Sequence, residues 1–256
     1  MKRFYKKAEI LPAENGDIAG APRGSLGSPR DAVAWGGAAR GWAVALDGRL
    51  VKTPGKHDLI LPTLALAAAV AEEWNAQEGE VRPAEMLLTR LACRTLDRTP
   101  EGRAAVVRQI ADYAGTDLVC YRAAHPPELA RRQNALWQPL VDWAVLRYDA
   151  PLEITTGVIP KSQSPASLRA FAAAIEVYDD FTLTALQAAV TACGSIVIGL
   201  ALIECHIDAA AAFAAAQLDE SFQIEAWGED AEAVARRRAL AAEIAAAERF
   251  TALLRA

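Results

Sequence analysis

Histidine is scarce in this sequence: His57, His125 and His206 are the only three among 256 residues. The four cysteines, Cys93, Cys120, Cys193 and Cys205, fall at irregular spacings. No CxxC, HExxH or carboxylate-histidine pair at helical spacing occurs, so local pattern supplies no metal-ligand set. Cys205 and His206 are adjacent, and on a helix they would point about 100° apart, too divergent to share an ion. Reduced, buried thiols in a cytoplasmic protein are the expectation for the cysteines.

A basic excess is also missing. Twenty-seven Lys and Arg face 32 Asp and Glu, for a formal charge of −5. That balance disfavours a nucleic-acid binder and a protein held by charge on anionic lipid. The longest apolar run, residues 188–203, covers 16 positions, short of the ~20 that a bilayer core requires. Gly194, Ser195 and Gly199 within it allow close backbone approach, so one buried central helix is expected there. The basic start Met1-Lys2-Arg3 has no apolar stretch after it, and Glu9, Glu14 and Asp17 arrive too early for an import leader.

Catalytic patterns fare no better. Gly36-Gly37-Ala38-Ala39-Arg40-Gly41 has P-loop glycine spacing, but Trp42 stands where lysine must meet phosphate. Gly55-Lys56 lacks the leading glycine and the following Ser or Thr. Ser195 falls inside the apolar run without the second glycine of a nucleophile elbow. The acid pairs Glu72-Glu73, Asp179-Asp180 and Asp219-Glu220 read as caps or solvated faces. No enzyme, cofactor or metal site follows from the residues.

What is present is a globular composition, 53% apolar and 23% charged, long enough for one large domain or two smaller ones. Residues 4–10 form a candidate strand. Trp42 to Leu46, Asp47-Gly48 and Arg49 to Thr53 read as a hairpin, because Asp-Gly tolerates the positive φ that a tight turn demands. Residues 58–61 add a strand, and 11–41 are rich in loop formers. From Thr63 the chain turns helical, with helices over 64–75, 84–96, from Pro100, and 127–147. Pro139 lies inside the last of these and should kink it. Residues 151–160 are extended and either join the N-terminal sheet or form a long connection. Further helices start at Ser164-Pro165, at Asp179-Asp180, at Asp208 (through Phe222) and at Asp230. The last carries Leu240, Ile244, Ala247, Thr251 and Leu254 on one face. The fold class is α+β: a small β-containing N-terminal domain, 1–80, packed on a larger helical bundle, 81–256.

Interaction surfaces are the better candidates. Arg90, Arg94 and Arg98 make a basic stripe, either a solvated face or a contact line for an acidic partner. Trp137 and Trp143, six residues apart on one helix, cannot both face the stripe of Leu136 and Leu140, so an exposed aromatic anchor is expected. The segment from Gln217 to Asp230 gathers Asp219, Glu220, Gln223 and Trp227. Read as the end of the helix from Asp208, it places two acids where the helix dipole disfavours them. Such placement points either to an internal salt bridge of Glu220, for instance with an arginine of the last helix, or to contact with a partner. A different class of reading is a small-molecule-binding or hydrolytic protein whose interdomain cleft is lined by Asp117, Arg122 and Gln133.

Ordered motifs then run along nearly the whole chain. They are Met1-Lys2-Arg3-Phe4-Tyr5-Lys6, Leu46-Asp47-Gly48-Arg49 with Lys52-Thr53-Pro54, and Leu61-Pro62-Thr63. Glu73-Trp74 with Gln77, Leu88-Thr89-Arg90-Leu91, Thr116-Asp117-Leu118 and Cys120-Tyr121-Arg122 follow. Arg132-Gln133 with Trp137, then Leu218-Asp219-Glu220, Gln223 and Trp227-Gly228, complete the series. Together they resemble the ATP-twelve family of assembly chaperones for the catalytic head of the F-type ATP synthase. The resemblance implies a small α/β domain on an orthogonal helical bundle, without enzymatic activity, nucleotide or other cofactor. It implies that the partner is the unassembled alpha subunit of the head, whose assembly surface is covered before beta subunits join. The family's important acidic position falls on Glu220, and Asp219, Gln223, Trp227 and Trp137 are the companion partner-binding candidates. The loop 11–41 is longer than the family pattern. The lack of a leader suggests a bacterial, cytoplasmic member, expected to be a monomer with no nucleic-acid partner and no membrane insertion.

Overall fold

The computed structural model of the protein describes residues 2–13, 41–157 and 159–256. A small β-containing N-terminal region precedes a larger helical region, the mixed α+β architecture. Two compact units divide it: residues 1–100 with 178–184 and 249–256, and residues 101–177 with 185–248.

In the first unit, β1 (Ala8–Ala13) pairs antiparallel with β2 (Gly41–Leu46), which also pairs with β3 (Arg49–Leu50) and β4 (Ile60–Leu61). The β2 residues Ala43 to Leu46 are all buried, the pattern of a central strand covered on both faces. Asp47 and Gly48, with φ of 47° and 81°, make the expected tight turn. The Asp47 carboxylate also accepts from the Lys6 and Lys7 amides. That engagement explains why the first strand starts at Ala8 and not at residue 4: the preceding amides serve a side chain instead of a ladder. Of the expected loop 11–41, Leu11 to Ala13 belong to β1 and Gly41 to β2. Positions 14–40, with the glycine-rich stretch from Gly36 to Arg40, lie outside the described residues.

Helix α1 (Leu64–Asn75) starts at Thr63, whose hydroxyl accepts from the Leu66 amide and donates to the Leu253 carbonyl. Its Leu66, Ala67, Val70 and Ala71 are buried and α1 packs on β1 and β2. The sequence 84–96 does not form one helix. A 3-10 turn at Pro83–Glu85 precedes α2 (Leu87–Leu96), because Glu73 reaches over from α1 to cap the new start. Its carboxylate accepts from the Leu88 and Thr89 amides at 2.8 Å each and from the Thr89 hydroxyl at 2.7 Å.

The remaining helices have most of their residues in the second unit. Helices α3 (Pro100–Asp112), α4 (Pro127–Tyr148) and α5 (Pro165–Glu176) are followed by α6 (Asp180–Cys193) and α7 (Ile196–Ile203). The remainder is α8 (Ala209–Ala216), α9 (Leu218–Trp227) and α10 (Ala231–Leu254). Helix α4 runs through Pro139 as a single element. The extended piece, β6 (Thr155–Thr156), pairs in parallel with β5 (Tyr121–Arg122) and not with the N-terminal sheet. On α10, Ile244, Ala247 and Thr251 are buried as expected, joined by Ala246 and Phe250, while Leu240 and Leu254 are only half-buried.

The apolar run 188–203 is broken, against expectation. Gly194, at φ 65°, ends α6 in the left-handed conformation that glycine tolerates. Ser195 then caps α7 by accepting from the Ile198 amide at 3.0 Å. Every residue of α7 is buried. Among the described residues no helix is long and apolar enough to cross a membrane.

Gly199 marks the closest approach of α6 and α7. A Cβ there would stand 2.4 Å from Val190 Cγ2 and 3.1 Å from the Val190 backbone nitrogen. Gly199→Ala should therefore lower unfolding free energy by about 1–3 kcal/mol, the usual cost of overpacking. Because the nearest atom is a Val190 methyl, Gly199→Ala with Val190→Ala should lose less than the two single changes summed. Denaturant titration of the four proteins checks this, and strict additivity would exclude the steric account.

Candidate functional site

Gln217 separates the expected helix 208–222 into α8 and α9. Its φ of −112° and ψ of 22° leave the helical range, and it stands between Ala216 and Leu218. Asp219 and Glu220 consequently occupy the first turn of α9. The expectation that they sit at a helix C-terminus is overturned, and with it the argument from misplaced charge. The dipole favours them where they are.

Helix α9 buries Leu218 and turns the opposite side outward. Glu220, Gln223 and Trp227 follow at i, i+3 and i+7 and so share one stripe. Trp227 is 82% exposed, Gln223 is exposed and Glu220 is half-buried. Among the described residues, the Glu220 and Gln223 side chains have no hydrogen-bond or ion-pair partner. Among the described residues, the internal salt bridge considered for Glu220 is not made. The arginine of the last helix that reaches this region is Arg237. It donates to Gln217 Oε1 (3.1 Å) and Ser221 Oγ (3.0 Å) and pairs with Glu229 (3.3 Å).

Asp219 points the other way. It accepts from Gln133 Nε2 at 2.8 Å. Gln133, only 1% exposed, also accepts from the Ala123 amide at its Oε1 and from Arg122 Nη1 at its backbone carbonyl. The Arg122 guanidinium lies 5.3 Å from the Trp137 ring centroid, and Trp137 Nε1 donates to the Ala215 carbonyl at 2.9 Å. Trp137 is therefore not an exposed anchor: it is 1% exposed. Helix α4 is rotated so that Gln133, Trp137, Leu140, Val141 and Ala144 form its inner face, in place of the stripe through Leu136. Trp143 is half-buried and stacks on His206.

Sequence reading missed a second clamp on α9. Arg132 donates from Nη1 to both carboxylate oxygens of Glu225 at 2.8 Å and from Nε to Glu128. The same guanidinium lies 5.3 Å from the Phe222 ring centroid. Arg132 and Glu225 are 93 residues apart, so no local pattern could have paired them.

The residues proposed for a small-molecule cleft are occupied internally. Arg122 and Gln133 belong to the network just described. Asp117 is 0% exposed and accepts from the Val119 amide at 3.0 Å and the Val197 amide at 3.1 Å. Burial pushes its carboxyl up to about 6, against the hydrogen bonds that favour its charged form. Burial likewise raises the thiols of Cys93 to about 11 and of Cys120 and Cys193 to about 12, which keeps them protonated and inert. Cys205 departs from the expected burial: it is exposed, at φ 59°, in the turn after α7. Among the described residues no group of three His, Cys, Asp or Glu side chains can hold a metal ion.

A family model described as ATP12 chaperone protein matches residues 2–145. The crystal structure of Atp12 from Paracoccus denitrificans is similar at 40% identity, covering 99% of this chain and 98% of that one, with a TM-score of 0.82. A mutant of the same protein, with lysine in place of an aspartate, gives the same identity and TM-score over 99% and 97%. A protein of Agrobacterium tumefaciens is similar at 32% identity and TM-score 0.84, covering 99% of this chain and 86% of that one.

The neighbours Asp219 and Glu220 should differ sharply in what they do for stability. Asp219→Ala strands a buried amide donor and should cost about 1–3 kcal/mol; Glu220→Ala removes no hydrogen bond or ion pair among the described residues and should stay within about 0.5 kcal/mol. Chemical denaturation measures both, and equal losses would contradict the geometry. Asp117 makes a pH-dependent contribution. A carboxyl raised in the folded state adds stability that is complete below its unfolded value and lost as pH rises through the folded one. Measured against Asp117→Asn, the wild type should therefore lose stability as pH rises from 3.8 past about 6. A difference that is flat or grows over that window contradicts this.

Proposed function

The chain belongs to the ATP12 chaperone family, and we propose that its partner is the unassembled alpha subunit of the F-type ATP synthase head. Members of this family are assembly factors and not enzymes. In this reading the chain covers the alpha-subunit surface that later meets its neighbours, and it is displaced without ATP hydrolysis, in the bacterial cytoplasm. The observation that carries the reading is the α9 stripe. A Trp227 that is 82% exposed and a Glu220 without a partner among the described residues stand on one helical stripe. An unassembled subunit exposes apolar area that is prone to aggregate. A large aromatic with an adjacent carboxylate and amide is suited to cover such a surface and to fix its orientation.

Helix α9 is held from behind by Gln133 and Arg132 and from the side by Arg237. The stripe is thereby ordered before any partner arrives, which lowers the entropy cost of binding. An exposed aromatic at the centre of such a contact is worth about 2 kcal/mol, roughly thirtyfold in Kd.

Co-purification and titration with isolated alpha subunit test the proposal. Trp227→Ala and Glu220→Lys should each weaken capture by about tenfold or more while the melting transition is kept. If Glu220→Lys holds alpha subunit as tightly as the wild type does, the stripe is not the contact. If the chain remains in stoichiometric amount in mature ATP synthase, it is a subunit and not an assembly factor.

A further inference from the structure

The basic stripe of α2 is not used by the α9 reading, yet it borders a concavity among the described residues of the first unit. This is an open groove of about 420 Å³, whose wall includes Trp74, Val81, Met86, Arg90, Arg94 and Asp97. Val81 and Met86 are 4% and 2% exposed, so they form an apolar floor set back from the surface. Arg90 and Arg94 stand one helical turn apart along the rim. Arg98, the third member of the stripe, is turned away and donates to the Asp180 carbonyl.

Among the described residues, the charge of Arg94 is not cancelled from within. Asp97 is the one carboxylate in the wall, and it is committed elsewhere: it accepts from Thr53 Oγ1, the Gly55 amide and His57 Nδ1. Those bonds, opposed by partial burial, hold its carboxyl below the usual range. Arg94 is exposed and, among the described residues, has no hydrogen-bond or ion-pair partner. Trp74 also carries an indole N–H that is buried without an acceptor. An apolar floor beneath a cationic rim, on a chain whose net charge is −5, selects an occupant that combines an apolar side chain with negative charge.

We propose that this groove is a second docking site, for an extended acidic-apolar polypeptide segment. One apolar side chain of the segment seats over Met86 and Val81 against Trp74, and a neighbouring carboxylate meets Arg94. Arginine suits that role because its planar fork binds a carboxylate through two hydrogen bonds. The groove is open along the surface, which fits a chain that enters and leaves at its ends. A lipid tail needs an enclosed sleeve to lose its water. The proposal goes beyond the α9 reading and stands on different residues.

The test uses the full chain and fluorescein-labelled, end-blocked peptides of alternating Leu and Glu or alternating Leu and Lys, read by anisotropy. The Glu peptide should bind saturably, and the Lys peptide at least tenfold more weakly. Arg94→Glu should weaken the Glu peptide at least tenfold and reverse the preference. Arg82→Glu, an exposed arginine outside the groove wall that pairs with Glu85, should change it less than twofold. No saturable binding below 1 mM, equal binding of both peptides, or an equal loss in Arg82→Glu would overturn the proposal. So would dodecanoate that binds more tightly than the Glu peptide and loses that binding in Arg94→Glu, since the site would then be one for lipid. Alpha-subunit capture is not the readout, so failure here leaves the α9 reading standing.

Discussion

The hydrogen bond from Gln133 to Asp219 is the constraint on which the exposed face of α9 depends. A glutamine buried in a helical unit must satisfy both ends of its amide, or the fold loses the free energy of a stranded polar group. Gln133 meets that demand with three partners: the Ala123 amide, Asp219 and, through its carbonyl, Arg122. The first and third lie at β5 and the turn after it, and the second lies in the first turn of α9. One side chain on α4 thereby sets the rotation of α9 about its axis. With Leu218 also buried, Glu220, Gln223 and Trp227 have only the outer side left to them. Arg122 retains a buried Nε without a hydrogen-bond partner; its stacking over Trp137 offsets part of that cost.

How much of this was legible in the sequence depended on the range of the interaction. The Asp47-Gly48 turn and the Thr63, Ser164 and Asp179 caps were read correctly, because each is a contact of a few residues with a fixed chemical preference. The two helix breaks were not. In 188–203 apolar residues stand on both sides of the break, and across Gln217 the residues are ordinary helix formers, so helical periodicity carries on where the backbone does not. Gly194 and Ser195 read equally well as permissive residues inside a helix and as the stop of one helix and the cap of the next. At Gln217 there is no glycine or proline, and the break follows from packing of α8 and α9 that no local rule reports.

These breaks change the meaning of charges, not merely the boundaries of elements. With one helix from Asp208, Asp219 and Glu220 would oppose the dipole and seem to require a functional explanation. With α9 beginning at Leu218, their location is favourable and explains itself. The case for Glu220 then rests on something different: a carboxylate on the outer face that finds no partner among the described residues while arginines nearby are engaged with other groups. Trp137 shows the reverse error. Its place beside the stripe of Leu136 and Leu140 on α4 suggests exposure, because that stripe reads as the inner face. The inner face is in fact polar at Gln133 and aromatic at Trp137, and a pattern built on aliphatic residues alone misjudges it.

The division of labour between Asp219 and Glu220 follows from a 100° turn per residue, which sends adjacent side chains to different environments. One acid is consumed in fixing the helix, and the other is left for what the helix presents. In the proposed reading, release needs no nucleotide and comes from competition by the next assembly partner, so this separation matters physically. The covering surface must be well ordered without being strongly adhesive. Ordering α9 by contacts behind it supplies the first property. Restricting the outer stripe to one large aromatic, one amide and one unpaired acid limits the second. A broader apolar face would hold a client more firmly, but it would also invite self-association and slow the exchange that assembly requires.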